Sequence, residues 1–186
     1  MIKRSFLTLL LCIVFTISIV TGTVRKALSE EPPPNEYEVK AAFLYNIAMF
    51  VEWPAASQGK LPAYVNLCIF GNDPFGPAIK TIEGMNIGDN KTIRLKHVAS
   101  VQNLGNCQIL FIPSEEKEHV EQVVETLARS RVLTVGDTTG FAQKGVTINF
   151  YIENKKVRFE INIDAVRRAG LKISSQLLKL AKIIND

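Results

Sequence analysis

The sequence predicts an α/β domain: a three-layer α/β/α sandwich on a mainly parallel sheet, with a C-terminal antiparallel hairpin plus helix. Three observations predict it. Short apolar, strand-like runs alternate with helical ones through residue 135, the order that builds a parallel sheet covered on both faces. The run CQILFI at 107–112 is almost unbroken in its apolar character, as a strand buried on both faces requires. Beyond it, 146–152 and 156–163 alternate with period two around Glu153-Asn154-Lys155, as the arms of a hairpin do. With 186 residues, 47% hydrophobic and 22% charged, the chain can bury one real core and is too short for two large ones.

The elements follow in order. Lys3 and Arg4 precede an uncharged stretch over 5–24, the pattern of an export signal. That stretch is close to the roughly 20 residues that span a bilayer, so an uncleaved anchor is the alternative. Residues 1–23 are therefore read as a signal peptide or retained anchor, 24–35 as a Pro-rich linker, and 36–186 as a single α/β domain. Asn35 is a good helix N-cap, and Glu36 and Glu38 suit the positive end of a helix dipole. The spacing then predicts a helix over 36–52 whose core stripe is Val39, Ala42, Phe43, Ile47 and Phe50, stopped by Trp53-Pro54. YVNLCIF at 64–70 reads as a strand. The turn Gly71-Asn72-Asp73-Pro74 leads into a short helix reaching Ile82. Residues 91–98 alternate, with Ile93, Leu95 and His97 on one face. Pro113-Ser114 opens a helix over 115–129 carrying Val120, Val123, Val124 and Leu127, and 132–135 is the next strand. After the hairpin, Gly170 separates a short helix near 164–169 from a closing helix over 175–184 with Leu177, Leu178 and Leu180.

Export changes how cysteine is read. Cys12 lies in the signal, leaving Cys68 and Cys107, each in or beside a strand-like run. An even count in an oxidising compartment points to a disulfide, and neighbouring strands bring Cα atoms within bridging range. The alternative is two buried free thiols.

Several function classes are disfavoured. The formal charge of +4 falls to +2 once Lys3 and Arg4 are removed, too weak for a nucleic-acid footprint. No serine sits in a G-x-S-x-G context, and Ser114 is better explained as a helix cap. GNDPFG at 71–76 and GDTTG at 136–140 follow strands, but neither has the glycine spacing that cradles phosphate; both read as turns. His97 and His119 lack the paired spacing of a zinc site. No catalytic residue, metal or cofactor is expected. The chemically unusual segment is VRFEINIDAVRRAGLKISS at 157–175, where Arg158, Glu160 and Asn162 form one polar row opposite Val157, Phe159, Ile161 and Ile163. Arg167, Arg168 and Lys172 follow closely. The row is either a solvated strand face, or an anion or amphiphile pocket or docking patch with Glu160 oriented by Arg158 or Lys172. In the second case the candidate binding residues are Arg158, Glu160, Asn162, Arg168 and Lys172.

Four stretches carry a resemblance: YEVKAAFLYNIAMFVEWP at 37–54, CIFGNDPF at 68–75, CQILFIP at 107–113, and 157–180. Together, and in order over nearly all of the mature chain, they resemble the YfiR-like family of periplasmic proteins. The resemblance implies a negative regulator that binds the periplasmic domain of an inner-membrane diguanylate cyclase and holds it inactive. Redox state or envelope stress would relieve that repression, linking the periplasm to cyclic-di-GMP, biofilm and exopolysaccharide. Cys68 and Cys107 match a family cysteine pair. A second family pair has no counterpart, because 141–152 contains no cysteine, which leaves at most one bridge to sense oxidant. Glu160 falls in the family's R-F-E-[IV]-N motif. A regulator of this kind is expected to be a homodimer with an exposed apolar patch rimmed by charge. The alternative is a periplasmic small-molecule-binding module using a pocket around Arg158, Glu160 and Lys172.

Overall fold

Asn35 accepts a hydrogen bond from the Glu38 amide at 3.0 Å while the Glu38 carboxylate accepts from the Asn35 amide at 2.9 Å. This reciprocal capping box satisfies two orphan donors and starts helix α1 (Glu36–Phe50). The structure, a computed structural model, describes residues 35–52 and 63–186. The expected signal peptide, the linker up to residue 34 and the Trp53-Pro54 stop lie outside the described residues. The buried face of α1 is Lys40, Ala41, Leu44, Ile47 and Ala48, about one position round from the predicted stripe. Ala42 is exposed, and Phe43 is half-buried on a flank with its ring 6.0 Å from Phe150 and 5.5 Å from Phe159. Small residues take the positions where a helix lies closest to the sheet, which moves the bulky aromatic aside.

The remaining elements are β1 (Val51–Glu52), β2 (Tyr64–Phe70), α2 (Pro77–Lys80), β3 (Thr92–Val98), β4 (Ile109–Ile112), α3 (Val120–Leu127) and β5 (Leu133–Gly136). They continue with β6 (Ile148–Glu153), β7 (Lys156–Asn162), α4 (Ile163–Arg168), β8 (Lys172–Ile173), α5 (Ser175–Leu178) and β9 (Lys182–Ile184). One sheet has seven strands in the order β3-β2-β4-β5-β6-β7-β9, and β1 pairs with β8 in a separate two-stranded ribbon. Every neighbour in the large sheet is parallel except the β6–β7 hairpin. Alternate strand residues face opposite ways. Leu67, Ile69, Phe111, Val135 and Phe150 therefore share one core with Leu44 and Ile47 of α1. Cys68, Phe70, Leu110 and Ile112 share the other with Val120 and Val123 of α3. The sheet between two cores is the expected three-layer arrangement.

The closing helix is the main departure. Ser174 caps only the single turn of α5, accepting from the Gln176 amide, and the chain then enters β9 parallel to β7. Only Leu177 of the three leucines is deeply buried; Leu180 is 69% exposed. Ile183 and Ile184, β-branched residues that favour extended backbone, add a strand to the free edge of β7. The helix expected over 115–129 is also shorter. It begins as a 3-10 turn at Ser114–His119, where Glu116 leaves helical geometry, and becomes α-helical only from Val120. Asn154 and Lys155 both have positive φ, 51° and 60°, the two-residue turn that matches the twist of a hairpin. Cys68 and Cys107 form a disulfide with a Cα separation of 5.8 Å, tying β2 to the entry of β4. Among the described residues no helix is long and apolar enough to cross a membrane.

Candidate functional site

β6 meets β5 only at its start, Val135 opposite Ile148 and Gly136 opposite Asn149. The hairpin therefore overshoots the carboxyl end of β5, and the loop from Asp137 to Gly140 turns back beside it. The carboxyl ends of parallel strands are where open α/β sheets commonly build ligand sites. A cleft of about 560 Å³ opens there between the N-terminal turns of α1, the loop after β5, the β6–β7 hairpin and β9.

Two charged groups sit on its α1 side. Lys40 lies on the buried face of α1, 3% exposed, with its ammonium 2.9 Å from Asp137 Oδ2 and 2.5 Å from Glu36 Oε1. Asp137 is equally withdrawn from water at 2% and also accepts a hydrogen bond from the Tyr37 hydroxyl at 3.2 Å. Burying a charge is costly unless it is paired and hydrogen-bonded, and this network meets both conditions. Burial, and then the Asp137 charge, pushes the Tyr37 phenol far above the ordinary phenol range. The protonated form is thus the one favoured by folding. Its contribution is complete below the ordinary phenol value of about 10 and is lost only as pH rises through the folded value. Spectrophotometric titration is expected to show a phenolate step well above pH ~10 that Tyr37→Phe removes. Identical curves for the two proteins would refute this assignment.

The hairpin side is a polar ladder. Antiparallel register sets Asn149 opposite Glu160, and parallel register sets Glu160 opposite Lys182. Cross-strand neighbours of this kind point to the same face. Glu160 is buried, accepting from Lys182 Nζ at 3.2 Å and from Asn149 Nδ2 at 3.4 Å. Lys182 itself is mostly exposed and its ammonium lies 5.8 Å from the Tyr151 ring centroid.

Of the residues singled out from sequence, Glu160 alone lines this cleft. Arg158 is half-exposed near the hairpin tip, 3.9 Å from Glu153. Asn162 is fully buried and caps α4, accepting from the Ala165 amide and donating to the Ala142 carbonyl and to Asp186. Arg168 closes on the Asp186 carboxylate, which its hydrogen bond, with that from Asn162, holds below the usual carboxylate range. Lys172 sits in β8 opposite Glu52, in the other sheet. The cation on Glu160 is therefore Lys182, delivered by the strand that replaces the expected helix, and neither Arg158 nor Lys172 takes that place. Sequence reasoning missed Lys40, Asp137, Asn149 and Lys182. Two usable signals were present, one of them a lysine at the start of an otherwise apolar helical face. The other was an aspartate directly after a buried strand, in the GDTTG stretch read as a simple turn.

Among solved structures, a conserved domain protein from Vibrio cholerae O1 biovar El Tor is similar, with a TM-score of 0.54 at 8% identity, covering 81% of this chain and 60% of that one. At such identity the likeness shows the fold alone, and this chain spans about 60% of that protein's length. An ABC domain from Streptococcus pneumonia in complex with L-Trp overlaps more loosely, at 11% identity and a TM-score of 0.47, over 64% of this chain and 55% of that one. Sequence gives the sharper result. The DUF4154, YfiR/HmsC-like, family model matches residues 37–182. That span takes in the Tyr37–Lys40 turn, both bridged cysteines, the GDTTG loop and the ladder from Asn149 through Glu160 to Lys182, and the chain belongs to this YfiR/HmsC-like family.

Proposed function

We propose that this protein is a periplasmic repressor that binds the periplasmic domain of an inner-membrane diguanylate cyclase and lowers cyclic-di-GMP synthesis. Redox or envelope stress relieves the repression, and the working form is a homodimer. Family membership over residues 37–182 is the observation that carries this reading. The surface supports it at one place. Leu180 and Ile183 are 69% and 45% exposed at the outer edge of the large sheet, beside Lys179 and Lys182. An apolar patch rimmed by charge on an unpaired edge suits protein contact better than solvent.

The test is intracellular cyclic-di-GMP in the native host with the gene deleted and then restored. A several-fold rise on deletion, reversed by the exported wild-type protein, is expected. An unchanged level across growth conditions would overturn the repressor reading.

The cleft favours a second reading, a small-molecule-binding module. A buried carboxylate at the carboxyl end of a parallel sheet, oriented by an amide and an ammonium, suits ligand recognition. Lys182 takes the part that the sequence assigned to Lys172 or Arg158. The two readings are compatible if a ligand in the cleft modulates the docking edge, since Lys182 lies in both.

A further inference from the structure

Strand β9 brings little apolar burial to the edge of β7 that it covers: Ile183 is 45% exposed and Ile184 is half-buried. Its anchors are polar. Lys182 Nζ donates to the buried Glu160 carboxylate at 3.2 Å, and four residues on Asp186 accepts from the Arg168 guanidinium and from Asn162 Nδ2. The Asp186 amide in turn donates to Asp164 Oδ2 at 3.2 Å. Asn162 is fully buried, and its Nδ2 hydrogens are divided between the Ala142 carbonyl and Asp186. Taking the strand away leaves one Asn162 N–H without its acceptor and leaves Glu160 with the Asn149 amide at 3.4 Å. Polar groups of this kind are costly to leave unpaired. The edge of β7 therefore selects a strand with an ammonium at one position and a carboxylate four residues later.

The link into β9 has a second conformation open to it. Only Lys179, Leu180 and Ala181 separate α5 from β9. Leu180 is 69% exposed, an apolar side chain that the closed chain leaves in water. The amides of Leu180 and Ala181 still bond back to the Leu177 and Leu178 carbonyls, at 3.1 and 3.3 Å, and no glycine or proline interrupts residues 171–186. A short hinge whose leucines keep helical spacing can straighten into a further turn of α5 and carry β9 away from its own β7. The vacated edge then matches the same segment of a second copy, whose Lys182 and Asp186 meet Glu160 and Asn162 with the same complementarity of charge.

We propose that two copies exchange β9 reciprocally, residues 182–186 of each chain lying on β7 of the other, with the two Leu180 side chains covered where the hinges cross. The proposal rests on the reading of the working form as a homodimer and adds to it the segment that passes between the chains and the sockets that receive it. The strand's own contacts are the same in the closed and exchanged forms, so the dimer is favoured by what the crossing itself buries.

The experiment is sedimentation of the exported protein, alone and in mixtures. Wild type is expected to be a dimer. Glu160→Lys and Lys182→Glu each set like charges on β7 and β9 and are expected to be monomers when separate. Mixed, they restore one native Glu160–Lys182 pair and one reversed pair, but only if each strand crosses. A 1:1 dimer at least about tenfold tighter than the self-association of either variant is therefore expected. The double variant Glu160→Lys/Lys182→Glu restores the pair in either arrangement and controls for the reversed charges. A second measurement leaves the sockets intact: four glycines inserted after Lys179 slacken the hinge and are expected to weaken the wild-type dimer at least about tenfold. A mixture that stays monomeric while the double variant dimerises would overturn the exchange, as would a glycine insertion that leaves the dimer unchanged. If the double variant does not dimerise, the insertion alone decides. A dimer that survives the insertion keeps the homodimer reading and sinks the exchange, whereas a monomeric wild type sinks both. Cyclic-di-GMP repression is read separately and can stand or fall without either.

Discussion

Asp137→Ala is expected to destabilise the protein by about 3 kcal/mol, because it leaves the Lys40 ammonium buried beside one surviving partner. The wild-type pair is withdrawn from water on both sides, 3% for Lys40 and 2% for Asp137. Glu36 stays 2.5 Å from Lys40, but at 47% exposure its attraction is screened by solvent, so it softens the loss without abolishing it. Tyr37 loses its acceptor in the same substitution, and its phenol is expected to titrate closer to the ordinary range. Lys40→Met should cost a similar amount for the opposite reason, since Asp137 would then be buried with only the Tyr37 hydroxyl. The double variant Lys40→Met/Asp137→Leu removes both charges and keeps the volume, so it should recover much of the loss. Urea midpoints at constant slope measure all three changes. If each single change costs under about 1 kcal/mol and the pair adds, Lys40 and Asp137 are not coupled and the network is not what joins α1 to the end of β5.

That network also shows what a sequence can and cannot display. Periodicity reported the alternation of strands and helices, the hairpin and the two-sided sheet, because each is written in residues close together. It placed the buried face of α1 about one position off. Phe43 and Phe50 outweigh Ala41 and Ala48 on any apolar scale, yet the small residues sit where the helix comes nearest the sheet. The closing segment was misread for a related reason. Leucines at 177, 178 and 180 fit a helical spacing, and nothing local announces that β7 has an unpaired edge to fill. Strand register is set by the partner, and β9 has its partner 22 residues earlier.

The site suffered more than the fold from this. Glu160 was recognisable, since a carboxylate alternating with Phe159 and Ile161 stands out in any strand. Its partners were not, because Lys182 and Asn149 become neighbours only through the pairings of β9 and β6 with β7. Lys40 and Asp137 are 97 residues apart. The GDTTG loop lacks phosphate-loop spacing, and it matters for another reason: topology sets it at the carboxyl end of β5, beside the overshooting hairpin. A lysine on an apolar helical face was the legible clue, and it signifies a buried counter-charge somewhere in the chain.

Loss of the disulfide is expected to be the largest single effect, at roughly 4 kcal/mol from chain entropy for the 39-residue separation between Cys68 and Cys107. The cysteines are 0% and 3% exposed and pack in the core that α3 covers, next to Phe70 and Leu110. Cys68→Ala/Cys107→Ala isolates the cross-link, since neither residue then presents a lone thiol or hydroxyl to that core. Its denaturation midpoint should fall well below that of the oxidised wild type, and reduced wild type should fall with it. A recess of about 490 Å³ lined by Lys96 and His97 borders both cysteines, but their near-complete burial means that a reductant gains the sulfurs only when this corner opens. Thiol counting against time, paired with the unfolding midpoint, connects the two quantities. If two thiols appear and the midpoint falls, reduction loosens the junction of β2 and β4, and redox relief of repression has a physical route through the fold. If two thiols appear and the midpoint holds, the cross-link constrains little, and the proposed redox relief loses its route through this bridge.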